Sequence, residues 1–131
     1  MFIFHDFEEI MMIEKWVKKN SNAIYNRLPK KIADQIIKQF SMSTAQFSVA
    51  VMVIFVFVSS STYLASQYMN HAPLGNIHFF TIVLLIFFLH AFTHIGQSIF
   101  LGSYTPGVFT SIVLILPYSI IKFNTLYLII K

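Results

Sequence analysis

Cysteine is absent from the 131-residue chain, which excludes disulfides and thiolate metal ligands. Charge is scarce: only 11% of the residues are Asp, Glu, Lys or Arg, where an ordinary soluble domain carries roughly 25%. So few charges cannot coat a water-facing surface, so lipid must be the solvent for much of the chain. Between Lys38 and Lys122 there is no Asp, Glu, Lys or Arg at all. That interval has room for three bilayer crossings of about 20 residues each. Glycine and proline number four apiece, so the few turn signals divide the chain sharply.

What is present is apolar. Hydrophobic residues make up 56% of the sequence and the mean hydropathy is +0.70. Asn70, Pro73, Gly75 and Asn76 mark one turn inside the charge-free block, and Gly102, Ser103, Thr105, Pro106 and Gly107 mark another. The expected helices are 44–67, 76–100 and 107–129. Pro117 should kink or locally break the third, and Lys122 should snorkel to an interface. Ahead of the block, Met1 to Ile13 would reach only about 20 Å as a helix, short of the roughly 30 Å hydrocarbon core. The reading is therefore all-α: residues 1–131 as a single transmembrane helical domain, an integral membrane bundle. It has three full crossings, a short N-terminal membrane helix and a basic amphipathic interfacial helix.

That interfacial helix falls in the stretch from Glu14 to Phe40. Ile32, Ile36, Ile37 and Phe40 can share one face while Lys30, Lys31 and Lys38 occupy others, with Pro29 near the start. Seven of the nine Lys and Arg residues lie from Lys15 to Lys38. No nucleic-acid motif accompanies them, so the net charge of +4 points to membrane lipids and not to nucleic acid. Basic density beside membrane segments places residues 15–38 on the cytoplasmic side of the cell membrane. By alternation the turn near 68–75 faces out and the turn near 101–106 faces in.

Two polar clusters stand out, because ionisable groups in a bilayer are costly and mark function. Three of the five acidic residues fall in the run His5-Asp6-Phe7-Glu8-Glu9. On a helix His5, Glu8 and Glu9 stand at i, i+3 and i+4 and converge on one side, with Asp6 and Phe7 pointing elsewhere. The second cluster is His90, His94 and Gln97, also on one helical face, where Gly96 would admit a close neighbouring helix. Glu9 lies about 9 Å along a helix from Lys15, and His94 about 8–9 Å from the inner turn, so the clusters share a depth. Tyr104 and Thr110, on the same side, could border a common cavity. Competing structural readings are an acidic helix end neutralised by Lys15 or Lys18 and, for the histidines, interhelical hydrogen bonds. His71 and His78, near the outer turn, are given no role.

The pentad His5-Asp6-Phe7-Glu8-Glu9 and its continuation from Ile10 to Trp16 resemble the HXXEE family of small bacterial integral membrane proteins. His90, His94 and Gln97, then Tyr104 to Thr110, then Leu116 to Tyr118, are similar to that family's further polar motifs in the expected order. The resemblance implies a metal-dependent membrane enzyme and names no substrate. Members commonly carry more apolar residues ahead of the pentad than the four here, so the first crossing is expected to be half-inserted or incomplete.

The residues themselves point to a buried metal site built from His5, Glu8 and Glu9 on one helix and His90 and His94 on another. Gln97, Tyr104 and Thr110 would support it from behind. Three imidazoles and two carboxylates suit zinc or iron better than magnesium or calcium. Glu8 and Glu9 are the catalytic candidates, the one that is not a ligand acting as general base in a hydrolysis of a lipid or other amphiphile. The rival reading is a small proton- or cation-coupled transporter, assembled as a homodimer. A third is a metal-free accessory subunit of a larger membrane partner.

Overall fold

Leu28 has an extended backbone (φ −121°, ψ 148°), as a residue ahead of proline is driven to adopt. That joint separates the first two helices, α1 (Phe2–Arg27) and α2 (Lys30–Phe40). The computed structural model describes residues 1–131, the side chains of Gln39 and Phe40 excepted. Phe40's place on the apolar face of α2 thus lies outside the described residues. Between Ile13 and Arg27 the sequence holds no proline or glycine. The pentad helix therefore does not end at Ile13 but continues through the first half of the basic stretch, and at 26 residues extends about 39 Å. The amphipathic helix is α2 alone, with Pro29 as its N-cap and Ala33 fully buried.

Helices α3 (Thr44–Met69), α4 (Ile77–Leu101) and α5 (Val108–Ile130) are each long and apolar enough to cross a membrane, with mean hydropathies of 2.0, 2.0 and 1.8. Their starts follow from side-chain chemistry. Ser43 and Gln46 form a reciprocal capping box at α3, and the Asn76 side chain accepts from the Phe79 amide at α4 (3.0 Å). Gly102 ends α4 in the left-handed region at φ 59°, where glycine carries no Cβ penalty. Large apolar side chains face outward along these helices, among them Val49, Met52, Val56, Ile86, Leu89 and Ile121. Outward apolar surface on this scale suits lipid.

Within α5 the hydrogen-bond register widens to a π turn over Ser111–Ile115, where the Leu116 amide reaches Ser111 O. Pro117 follows at once and has no amide hydrogen to give. The break expected at Pro117 thus falls in the turn before it. Lys122 finds a partner in the bundle, its Nζ lying 5.6 Å from the Tyr118 ring centroid.

The turn between α3 and α4 is short, which sets them side by side, and α5 packs on α4. Across them lies α1, touching α3, α4 and the first half of α5. One core cluster holds Phe2, Phe87, Ala91 and Ile115; another holds Ala65, Ile77, Leu84 and Leu126. In lipid such contacts act by close packing more than by removal from water. Gly96 admits no neighbour: a Cβ there would meet nothing within 4 Å, since that side of α4 is turned outward.

Candidate metal centre

The start of α1 lies against the middle of α4, and this brings His5, Glu9, His90 and His94 together. One potential ligand atom from each lies within 4.8 Å of all the others. His94 Nε2 is 2.9 Å from His90 Nε2 and 2.9 Å from Glu9 Oε1, and Glu9 Oε1 is 4.0 Å from both His5 Nε2 and His90 Nε2. A tetrahedral site with metal–nitrogen bonds of 2.0–2.1 Å has ligand atoms about 3.4 Å apart. The observed separations bracket that figure. Spacing on two helices explains the convergence: His5 and Glu9 are one turn apart on α1, as are His90 and His94 on α4.

The protonation of His5 is legible from its neighbours. Thr110 Oγ1 donates to Glu8 Oε2 at 2.6 Å and lies 2.8 Å from His5 Nδ1. A hydroxyl has one hydrogen, already committed to the carboxylate, so Thr110 accepts from His5 Nδ1–H. His5 Nε2 then carries the lone pair. It is buried, faces the cluster and has no hydrogen-bond partner among the described residues. Such an orphaned buried acceptor is what a cation would satisfy. The donor set of three imidazoles and one carboxylate fits zinc or iron.

Glu8 stands aside from the four. Its carboxylate accepts from the Thr110 amide (2.9 Å), the Thr110 hydroxyl and the Tyr104 hydroxyl. With three donors fixed on it, Glu8 holds Thr110, and through Thr110 the His5 ring. Burial, reinforced by the neighbouring Glu8 carboxylate, holds the Tyr104 phenol above its ordinary range, so Tyr104 remains a hydrogen donor. The Trp16 indole donates to Tyr104 O and ties α1 to the loop that carries Tyr104.

Gly107 closes the roof. Its φ is +84°, and a Cβ there would approach His94 Cε1 to 2.8 Å and His5 Cε1 to 3.0 Å. Only glycine meets both the backbone and the space requirement. Thr105, 1% exposed, donates through its hydroxyl to His94 O (3.3 Å).

The cluster opens into a cavity of about 760 Å³, within the range of small-molecule sites. Its polar wall contains Glu9, His90, His94 and Gln97, and also Asp6. Asp6 is a correction to the sequence reading: it is buried, with Oδ2 lacking a hydrogen-bond partner among the described residues, because α1 is covered on the Asp6 side as well as the His5 side. Phe7 does point away, 54% exposed. Apart from Thr105 and the Trp16 indole, the rest of the described cavity wall is apolar.

A family described as protein of unknown function with HXXEE motif matches residues 1–122. The chain belongs to the HXXEE family. No curated protein and no solved structure matches it. Of the HXXEE pentad, the structure puts His5 and Glu9 in the four-residue group and assigns Glu8 to Thr110 and Tyr104. Gln97 is exposed at the cavity wall and is not among the four. Gly107 was noted in the sequence only as a turn residue. Its part in covering the rings had no signal beyond its place in the run Tyr104 to Thr110.

Proposed function

We propose that this chain is a metal-dependent integral membrane enzyme of hydrolase type, acting on a lipid or amphiphile, with zinc or iron held by His5, Glu9, His90 and His94. The observation that carries the reading is the buried, partnerless Nε2 of His5 facing a carboxylate and two imidazoles from other turns. A divalent metal held by His5, Glu9, His90 and His94 would supply Lewis-acid polarisation of a carbonyl or phosphoryl group and would activate water. The chain's own residues do the rest. Thr110 and Glu8 fix the tautomer and ring of His5, Gly107 packs against the His94 and His5 rings while Thr105 holds His94 O, and the apolar cavity orients the substrate. Asp6 is buried in the cavity wall beside Glu9, its Oδ2 without a hydrogen-bond partner among the described residues. Glu8, already hydrogen-bonded by three donors, positions and does not act as the general base. The site opens toward the side carrying the basic residues 15–38, which we take to be the cytoplasmic side.

The test is purified protein with mixed lipid and lipid-ester substrates. Hydrolysis should disappear on chelation, return with zinc or iron, and be absent from a His90→Ala, His94→Ala double variant. A full metal load surviving in that double variant would sink the assignment. The second reading, a proton- or cation-coupled transporter, draws on the same buried Asp6 carboxylate, and it predicts metal-independent proton movement in liposomes.

A further inference from the structure

His90 and His94 lie part-way along the cavity. On one side of them the wall is Ile54, Ile86 and Phe87; on the other it is Phe100, Leu101 and Leu28. Along α4 the first side reaches about 6 Å, from His90 to Ile86, and the second about 10 Å, from His94 to Leu101. The polar band is therefore flanked by apolar wall in both directions. No Lys or Arg lines the cavity among the described residues, and the Arg27 guanidinium is engaged outside it with Phe100 O at 2.9 Å. The acidic side chains in the wall are Asp6 and Glu9, and Glu8 follows close behind on α1. A divalent ion in the four-residue group would be balanced by Glu8 and Glu9 even with Asp6 protonated, so an anionic substrate would bring a charge that nothing in the wall offsets. The uncharged donors of the wall are Trp16, Thr105 and Gln97. Two are already engaged within the protein, the Trp16 indole with Tyr104 O and the Thr105 hydroxyl with His94 O. On α4 the Thr93 and Ser98 hydroxyls are engaged likewise, with His90 O and Ser103 O. Gln97 is exposed in the cavity wall, one turn beyond His94 on the same helical face, and its carboxamide is placed to meet a ligand.

We propose that the substrate of this site is a neutral carboxylic ester with an apolar group on each side of its carbonyl, oriented by the Gln97 carboxamide. The inference rests on the preceding reading and narrows it from lipids at large to uncharged esters, setting aside phosphate esters and free fatty acids. The ester group lies at the histidines, its hydrocarbon arms follow the two apolar walls with the shorter arm toward Phe87, and the Gln97 amide donates to the carbonyl oxygen. Hydrolysis then takes place at the ligands. The oxygen of water joins the carbonyl carbon, the bond from that carbon to the alcohol oxygen breaks, and one proton of the water passes to the departing alcohol. The acid so formed loses the other proton to solvent, and its negative charge, met by no cation in the wall, favours departure.

The probes are three molecules of equal length: a dialkyl ketone with its carbonyl inside the chain, which resembles the ester and cannot be hydrolysed, the corresponding alkane, and a dialkyl phosphate. Occupancy is read by native mass spectrometry of the full chain released from detergent. Comparison of variants with the same probe removes the effect of partition into micelles. Wild type should hold the ketone and little of the phosphate. A neutral hydrogen bond changes binding about fivefold, so Gln97→Leu should lower ketone occupancy by about that factor and leave the alkane unchanged. Gln97→Lys, which adds a cation to the wall, should raise occupancy by the phosphate above that of wild type. Ketone occupancy unchanged in Gln97→Leu, phosphate bound by wild type as fully as the ketone, or no ketone bound to any of the proteins overturns the proposal. Metal content measured on the same samples separates the two claims. Bound metal with no dependence on Gln97 removes the ester assignment alone, and a ketone preference lost in Gln97→Leu, in protein that holds no metal, removes the enzyme reading alone.

Discussion

Thr110 joins more of the site than any other residue, holding His5 Nδ1 and Glu8 through one hydroxyl. Outer groups that orient a ligand typically matter 10–100-fold in metal affinity. Thr110→Val, close in shape but without the hydroxyl, should weaken metal binding by about that factor while Thr110→Ser retains it, measured by competition with a chromophoric chelator. Equal affinity in both variants would show that the hydroxyl does not set the ring. Gly107→Ala forces a left-handed alanine, at about 1–2 kcal/mol, and drives a methyl into the His94 and His5 rings. It should lower both the melting temperature and the bound metal; a variant with normal metal content would remove Gly107 from the site. At this scale the sequence was partly legible. The i, i+4 pairs His5/Glu9 and His90/His94 could be read from spacing alone, whereas the division between Glu8 and Glu9 could not. Both glutamates lie on the same side of α1, and only the approach of Thr110 and Tyr104 from residues distant in sequence decides which one is occupied.

Elements were legible where a single chemistry governs. Lipid sets the length of an apolar crossing, so the spans expected at 44–67, 76–100 and 107–129 agree with α3, α4 and α5 to within about two residues, the ordinary uncertainty of helix ends. The end of α1 was not legible, since polar residues after Ile13 look like the end of a membrane segment yet leave helix propensity intact. Its midpoint is tied to the bundle: Glu14 accepts from Lys18 (2.9 Å) and from Thr44 at the start of α3 (2.9 Å). These bonds hold the Glu14 carboxyl below its ordinary range, the Lys18 hydrogen bond most strongly. A carboxyl lowered in the folded state stabilises the fold above its unfolded pKa, and that contribution is lost as pH falls through the folded value. The melting temperature of wild type should therefore exceed that of Glu14→Gln near neutral pH, and the small gap should close in acid. A gap that widens with acidification would contradict the assignment.

For the whole molecule, three crossings set the α3–α4 and α4–α5 turns on opposite sides, and the cytoplasmic placement of the basic residues is a proposal that labelling tests. The chain contains no cysteine, so single cysteines can report orientation without background. Ala72→Cys, in the turn between α3 and α4, should react with an impermeant maleimide on intact cells, and Ser103→Cys, between α4 and α5, only after permeabilisation. The reverse pattern would place the site's opening on the outer face. The shared depth of the two clusters followed from this topology, but their contact did not, because depth says nothing of rotation about a helix axis. Packing supplies the rotation: Phe2 against Phe87 and Phe55 turns His5 and Glu9 toward His90 and His94. The account as a whole depends on those four residues acting as one binding group. Elemental analysis of protein purified in mild detergent without a metal-binding tag, beside single His5→Ala and His94→Ala variants, tests it most directly. The account predicts near-stoichiometric zinc or iron in the wild type and its loss from both variants, although the two residues lie on different helices; no metal in the wild type after adding zinc and iron back, or metal retained in both variants, would contradict it.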